Sequence, residues 1–265
     1  MIARPGTAPG RSGETVVAQG FPTVYPRRPL VVKHLGPTSY TETFAAMRAF
    51  TLARDADTVD EIWFTEHEPV YTLGLAGKPA HVLNPRAIPV VQADRGGQVT
   101  YHGPGQLIGY LLLDLKRRDL KVRELVRLIE DAVIATLADF GVAGHRRAGM
   151  PGVYVGDANG DTGADTDGDA DGDTDGDTNC DIRGGAKIAA LGLKVKNGCS
   201  YHGVSLNVDM DLAPFAGINP CGYENLEVTQ LKAIQPPLNR TALPAVTVAA
   251  LAQRLAVHLT SGLSA

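Results

Sequence analysis

The sequence predicts a single domain of the α+β class (mixed α/β), in which a sheet is flanked by helices. Its 265 residues, 44 % of them hydrophobic, are enough for one sizeable core. Short strand-like runs recur along most of the chain and are separated by Gly, Pro and Asn, which is typical of a sheet. Between and after these runs, apolar residues recur at helical spacing. Clustered strands with helices between them therefore predict this fold class.

The elements are predicted as follows, in chain order. The first helix, 39–55, has Thr38 or Ser39 as a possible N-cap. The clearest helix, 122–141, has apolar residues three or four apart and a glycine at its end. A last helix is predicted at 246–259. Strands are predicted at 30–35, 61–66, 69–74, 87–92, 106–115, 152–156, 187–196 and 201–210.

Two segments are predicted to lie outside the packed core. Residues 1–29 are rich in Gly, Pro, Thr and Arg and lack a periodic apolar pattern, which predicts a disordered leader. Residues 157–181 contain ten aspartates and no Lys or Arg. Since like charges repel and bury nothing, this run is predicted to be a solvated loop between two strands. The domain is therefore expected to span 30–265, with an insertion at about 157–181.

The aspartate run also resembles a calcium loop. Two registers, beginning at Asp167 and Asp171, match the first six positions of an EF-hand. Their twelfth residues, Thr178 and Ile182, replace the glutamate that completes the calcium site. Predicted strands, not helices, flank the run. A solvated insertion is therefore favoured, and calcium binding stays an alternative.

Charge and cysteine content narrow the class of protein. The net charge is −4, so removing the ten aspartates of the insertion leaves +6 on the remainder. That mild basicity does not argue for nucleic acid binding but suits an acidic protein partner. Cys180, Cys199 and Cys221 form no disulfide framework, and no apolar run has the length of a signal peptide core or a membrane span. We therefore expect a cytoplasmic protein that binds neither nucleic acid nor membrane.

A glycine-rich stretch, RGGQVTYHGPGQ at 95–106, is predicted to be a binding loop. Its glycines let the backbone approach a ligand closely, and Arg95, Tyr101 and His102 add charge, apolar surface and a titratable ring. It lacks the G-K-[ST] ending of a phosphate-binding P-loop. A structural corner is the alternative interpretation.

Two further residues are candidates for chemistry. Lys187 begins an apolar strand shortly after two glycines, whereas Lys194 and Lys196 are predicted to lie on a solvated strand face. Cys221 lies between Pro220 and Gly222, in a rigid turn that suits the presentation of a thiol. From the residues alone, a small buried core cysteine remains the alternative.

Together, three motifs resemble the octanoyl-[acyl carrier protein]:protein octanoyltransferases of lipoate biosynthesis. They are RGGQVTYHGPGQL, KIAALGLKVKNGCSYHGVSLNVDMDLAPF and INPCGYENLEVTQL, and the match runs from about Leu30 to Leu231. The leader and the aspartate run depart from the family. The resemblance implies an acyltransferase with the fold of the biotin- and lipoate-protein ligase catalytic domains.

The resemblance also implies a reaction and its partners. Cys221 would take an octanoyl group from the phosphopantetheine thioester of acyl carrier protein and pass it to a lysine of a lipoyl domain. The acceptors implied are the lipoyl domains of 2-oxoacid dehydrogenase complexes and the glycine cleavage H protein. No ATP and no metal would be needed, since one thioester is exchanged for another before the amide forms.

The resemblance assigns roles residue by residue. Lys187 would take the thiol proton of Cys221 or stabilise the thiolate. Apart from the resemblance, the chemistry predicts that backbone N–H groups among the motif glycines hold the oxyanion of the thioester. The residues implied to contact substrate are Arg95, Gly96, Gly97, Gln98, Val99, Thr100, Tyr101, His102, Ala190, Leu191, Gly192, Gly203, Val204 and Ser205.

Two other functions are weighed against this one. An ATP-dependent lipoate- or biotin-protein ligase shares the fold but needs no nucleophilic cysteine, so Cys221 and Lys187 favour the transferase. A calcium-responsive binding protein built around the aspartate run is the less favoured alternative.

Overall fold

The structure is a computed structural model that describes residues 30–156, 185–236 and 243–264. The predicted leader, 1–29, and the aspartate run, 157–181, lie outside the described residues. In chain order the elements are β1 (Leu30–Thr38), α1 (Tyr40–Ala53), β2 (Asp60–His67), β3 (Val70–Leu73), β4 (Val90–Gln92), β5 (Val99–His102), β6 (Gln106–Leu112), α2 (Val122–Asp139), β7 (Val153–Val155), β8 (Ala186–Lys196), β9 (Cys199–Asn207), α3 (Leu231–Ile234) and α4 (Val248–Ser264).

The strands form two sheets of mixed direction. The larger has the order β1-β2-β6-β9-β8-β7, with β1 and β2 parallel and the other neighbours antiparallel. The smaller has the order β4-β3-β5. Each predicted strand and each of the three predicted helices has a counterpart, with ends that shift by a few residues. The predicted mixed α/β class is confirmed.

Helices α2 and α4 cover one face of the larger sheet. On α2, Leu125, Ile129, Val133 and Leu137 are fully buried, as their three-and-four spacing predicts. Each such side chain contributes about 1.5–3 kcal/mol to folding when it leaves water. The α2 stripe therefore anchors the helix to the sheet.

The other face of the larger sheet is covered by α1 and the smaller sheet. Met47 of α1 packs against Trp63, Ile108 and Tyr110, all of them buried. The smaller sheet has its own cluster of buried residues, which includes Tyr71 and other apolar side chains. The space between the two sheets is where the candidate site lies.

Two hairpins place the strands that carry the site. Asn197 and Gly198 both have positive φ, +55° and +83°, so they form the two-residue turn that favours a tight hairpin between β8 and β9. Strands β7 and β8 are antiparallel neighbours on either side of the undescribed residues 157–184, as predicted for a hairpin that carries an insertion.

Candidate active site

Cys221 and Lys187 meet in the wall of one cavity. Cys221 lies in a short 3₁₀ turn, Pro220–Gly222, with φ +57° and ψ +17°, a left-handed conformation that is uncommon for a residue with a side chain. Lys187 lies at the start of β8 and is 5 % exposed. The Nζ atom of Lys187 is 3.2 Å from the Sγ atom of Cys221, within hydrogen-bonding distance. The structure thus brings together two residues that are 34 positions apart.

The surroundings of Lys187 hold its amine on the sulfur. Its Nζ also donates to the carbonyl oxygen of Pro151 at 2.9 Å and lies 5.2 Å from the ring centre of Tyr154. Burial lowers the pKa of Lys187, but ionised Cys221 and Tyr154 favour the ammonium more strongly, so the pKa is raised overall. Lys187 is therefore held as an ammonium beside the sulfur.

Gly152 makes room for the lysine. Its φ is +135°, and a Cβ atom at this position would lie only 2.6 Å from Cε of Lys187. Its N–H donates to Oε1 of Glu130, a buried side chain of α2, at 2.9 Å. Because Gly152 has no side chain, it can adopt this conformation and leaves the space in which the side chain of Lys187 reaches Cys221.

The cavity that this pair lines has a volume of about 350 Å³. Residues of both sheets, of α2 and of the turn before β7 line it, some of them predicted and some not. The predicted residues that line it are Arg95, Gly96, Gly97, Gln98, Val99, Thr100, His102, Lys187, Ala190, Leu191, Gly192, Gly203, Val204, Ser205 and Cys221.

Tyr101 does not line this cavity. It is 3 % exposed and packs with Tyr71 and Phe215 in the core of the smaller sheet, with ring centres 5.5 Å away in both cases. Because side chains alternate along a strand, Tyr101 faces away from its neighbours Thr100 and His102. Although Tyr101 belongs to the same continuous motif, its side chain packs behind the residues that line the cavity.

Arg95 is a buried cation in the wall. Its Nη2 atom donates to the carbonyl and hydroxyl oxygens of Thr72 at 2.7 and 2.8 Å, and Nη1 donates to the carbonyl of Gly96 at 2.9 Å. Its Nε atom is buried without a hydrogen-bond partner. Burial lowers the pKa of Arg95, an effect that nearby Tyr40 and Cys221 partly oppose. Among the described residues it has no carboxylate partner, so a guanidinium charge remains available to the cavity.

Gly96 is not an available oxyanion donor. Its N–H donates to the carbonyl oxygen of Leu193 at 2.9 Å and so ties the glycine-rich loop to β8. The expectation that motif glycines hold the oxyanion therefore stays a prediction for the other glycines. Gly192 has a packing role, because a Cβ atom there would lie 3.0 Å from Cδ of Arg95.

His102 is held as a neutral ring. Its Nδ1 atom is 2.7 Å from Oε1 of Gln106, which fits an Nδ1–H donor, and its Nε2 atom is 3.3 Å from the hydroxyl of Thr72. Burial lowers the pKa of His102 to about 3, with a further contribution from nearby His67. The ring therefore contributes a polar wall without charge at neutral pH.

His202 is a lining residue that sequence reasoning missed. It has φ +62° within β9, and both His202 and its neighbour Tyr201 reach Asp94, at 2.9 and 2.5 Å. Burial lowers the pKa of His202 to about 4, although the bond to Asp94 opposes this. Regular alternation along β9 would place the His202 side chain on the opposite face of the sheet. The left-handed backbone turns it toward the cavity instead.

Other missed lining residues come from segments without an evident motif. Tyr40, Ile108, Tyr110, Val122, Val126, Gly149, Met150, Pro151, Leu193 and Tyr223 belong to this set. Their residue types indicate no site chemistry, so only their packing identifies them. The run 150–155, which is buried except at Pro151, is the nearest thing to a signal, since it supplies both Pro151 and Tyr154.

The remaining cysteines, groups of metal-ligand side chains and the character of the helices were also predicted from the sequence. Cys199 is a free, buried thiol, and Cys180 lies outside the described residues. Within residues 30–156, 185–236 and 243–264, no three His, Cys, Asp or Glu side chains are grouped as ligands for a metal ion. In the same part of the chain, none of the helices is long and apolar enough to span a membrane.

The fold and the site define a class of protein. Residues 39–260 match the lipoyl protein ligase A/B catalytic domain, and the chain belongs to that family. A solved two-part lipoate protein ligase of Thermoplasma acidophilum, described with its E2 lipoyl domain, shares the fold with a TM-score of 0.56. The two chains are 15 % identical, and the match covers 88 % of this chain and 83 % of the ligase chain.

More similar relatives narrow the class. The octanoyltransferase of Dechloromonas aromatica (strain RCB) is 56 % identical over 210 residues, which cover 79 % of this chain and 89 % of the relative. The octanoyltransferase of Aromatoleum aromaticum is 57 % identical over 203 residues, covering 77 % of this chain and 76 % of the relative. The protein is therefore an enzyme of the acyltransferase class, as its motifs predict.

Proposed function

We propose that this enzyme transfers an octanoyl group from acyl carrier protein to a lysine of a lipoyl domain, through an acyl thioester on Cys221. The observation that carries the proposal is the 3.2 Å contact between Sγ of Cys221 and Nζ of Lys187 in the wall of a mainly apolar cavity. A thiolate is the reactive form of cysteine, and an adjacent ammonium stabilises it.

The first step exchanges one thioester for another. The Cys221 thiolate attacks the carbonyl carbon of the octanoyl thioester, and the bond from that carbon to the carrier's sulfur breaks. The departing thiolate takes a proton from the Lys187 ammonium. The products are octanoyl-Cys221, the free thiol of the carrier and a neutral Lys187 amine.

The second step makes the amide and restores the pair. The amine of the acceptor lysine attacks the carbonyl carbon of octanoyl-Cys221, the carbon–sulfur bond breaks, and Lys187 takes the proton that the nitrogen loses. Cys221 is again a thiolate beside an ammonium. Because Lys187 gives a proton in one step and takes one in the other, a single base serves the whole cycle.

The cavity suits the acyl chain. Its volume of about 350 Å³ lies in the range of ligand pockets, and Ile108, Val126, Leu191 and Val204 contribute apolar surface. His102 adds a wall that stays uncharged at neutral pH. The buried guanidinium of Arg95 is suited to stabilising negative charge on the carbonyl oxygen as the thiolate attacks.

The proposal includes the remaining expectations. The reaction uses neither ATP nor a metal ion, because the thioester already activates the acyl group. The acceptors are lipoyl domains of 2-oxoacid dehydrogenase complexes and the glycine cleavage H protein. The reaction takes place in the cytoplasm. The lipoyl domain that accompanies the T. acidophilum ligase supports an acceptor of this kind.

Intact-mass spectrometry tests the covalent step. The protein is mixed with octanoyl-acyl carrier protein without ATP, and an octanoyl adduct is expected on the wild type and on Cys199→Ala, but not on Cys221→Ala. An adduct that persists in Cys221→Ala would refute the assignment of the nucleophile. If lipoyl-domain octanoylation requires ATP and accepts free octanoate, the protein is a ligase instead.

A further inference from the structure

Glu130 is a charged side chain buried in the apolar face of α2. It is 4 % exposed and lies three positions before Val133 and seven before Leu137, which pack against the larger sheet. A carboxylate in such a place has lost its water, so its burial costs free energy unless hydrogen bonds and an opposite charge replace the water. The partners of Glu130 therefore indicate why a carboxylate lies where an apolar side chain would fit the pattern.

Both carboxylate oxygens of Glu130 hold the segment before β7. Oε1 accepts a hydrogen bond from the backbone N–H of Gly152 at 2.9 Å, and Oε2 accepts one from Nε of Arg146 at 2.9 Å. The Nη2 atom of Arg146 also reaches the carboxylate of Asp131, the next residue of α2, at 2.5 Å. Glu130 thus ties both ends of the segment 146–152 to α2.

One peptide group links Glu130 to the reacting amine. The N–H of Gly152 and the carbonyl of Pro151 belong to the same planar trans peptide and point in opposite directions. On one side the N–H donates to Glu130, and on the other the carbonyl oxygen accepts a hydrogen bond from Nζ of Lys187 at 2.9 Å. That Nζ lies 3.2 Å from Sγ of Cys221. The carboxylate therefore fixes the orientation of the carbonyl that holds the ammonium.

We propose that Glu130 is a positioning residue for Lys187, because it orients the peptide group that keeps the ammonium on the Cys221 sulfur. The inference rests on the proposed function, since it takes Cys221 and Lys187 as the reacting pair. A hydrogen bond to a carboxylate also polarises the peptide group and makes its carbonyl a stronger acceptor. Buried ion pairs often add little stability over apolar side chains of similar size, so a role in the site explains this carboxylate better than stability does.

Replacement of Glu130 separates this role from packing. Glu130→Met fills a similar space but cannot accept the N–H of Gly152, so the peptide group is free to turn and the ammonium loses its anchor. Acylation of Cys221 at neutral pH is expected to fall about ten- to a hundredfold, because a small misplacement of reacting groups costs about that much. Glu130→Gln keeps an oxygen acceptor for Gly152 and is expected to retain most of the rate.

The test is the pH dependence of Cys221 modification by iodoacetamide, which needs no acyl transfer. It is followed by mass spectrometry of the peptide that carries Cys221. The wild-type rate is expected to change little between pH 6.5 and 9.5, because the pKa of Lys187 is raised and its ammonium stabilises the thiolate. The rate of Glu130→Met is expected to be low at pH 6.5 and to climb with pH. Tyr154 and Arg95, which also lie near the pair, are unchanged in every variant.

The matched control is Thr136→Val, which alters another buried polar side chain of α2. The hydroxyl of Thr136 donates to a carbonyl oxygen within the helix at 2.7 Å and does not reach the segment before β7. Its stability is free to change, but its pH profile is expected to match the wild type.

A wild-type rate and pH profile in Glu130→Met would overturn the proposal. Slower modification with an unchanged pH profile would also overturn it, in favour of a role in packing. If Glu130→Met does not fold, Arg146→Met releases the same segment from the guanidinium side, and an unchanged profile there would be equally decisive against it. A profile that depends on Glu130, without octanoylation of wild-type Cys221 by octanoyl-acyl carrier protein, would refute only the proposed function.

Discussion

Replacing Lys187 by methionine removes the ammonium from the Cys221 sulfur while keeping a side chain of similar length. At 3.2 Å, opposite unit charges attract by about 5 kcal/mol in a medium with an effective dielectric constant of 20. Burial of the lysine offsets part of that attraction. A loss of about 10²- to 10⁴-fold in the acylation rate at neutral pH is therefore expected, the usual range for a positioned acid–base group.

The assay is single-turnover acylation by an octanoyl thioester, followed by intact mass between pH 6.5 and 9.5. In the wild type, Lys187 keeps its proton across this range because its pKa is raised, so the rate is expected to change little. In Lys187→Met the rate is expected to climb steadily with pH, since hydroxide must now generate the thiolate. Lys194→Met, seven residues along the same strand, is the control for loss of a β8 lysine. Acylation of Lys187→Met at the wild-type rate and with the wild-type pH profile would refute the reasoning.

Three further substitutions test the walls of the site. Gly152→Ala places a Cβ atom 2.6 Å from Cε of Lys187, so transfer is expected to fall at least about tenfold, whereas Gly149→Ala, also at positive φ but in open space, should cost stability without that loss; equal activities would contradict it. Native His102 stays neutral, with its pKa lowered from 6.5 to about 3, so its contribution to stability is lost as pH falls below 6.5. By pH 5.5 the loss is about 1 kcal/mol, and urea unfolding of His102→Gln should lack that part of the pH dependence. Arg95→Gln is expected to lower kcat about a hundredfold with partial recovery in Arg95→Lys; a change in KM alone would contradict a role in stabilising charge.

Much of the fold follows from local patterns. The apolar spacing of α2 predicts its buried face, and the Asn197–Gly198 pair suits the tight turn between β8 and β9. Periodicity and turn chemistry depend on neighbours in the chain, so they are legible without tertiary structure. The ends of strands are harder to predict from the sequence, because they depend on which neighbouring strands supply the hydrogen-bonding partners.

The site divides in a similar way. The motifs bring out Lys187 and Cys221, and a glycine–proline context marks the turn that presents the thiol. The motif also suggests that every residue from Arg95 to His102 faces the substrate. Strand alternation sends Tyr101 the other way, into the core of the smaller sheet. Continuous motifs do not show which side chains share a face.

By itself, the sequence determined the mixed fold from local propensities and the acyltransferase class from the resemblance of its motifs, and it predicted Cys221 and Lys187 as the reacting pair. Only the tertiary structure decided that Nζ of Lys187 lies 3.2 Å from Sγ of Cys221, and that His202 turns into the cavity. Those relations join residues far apart in the chain, and they exist only once the burial of apolar surface packs strands and helices against one another.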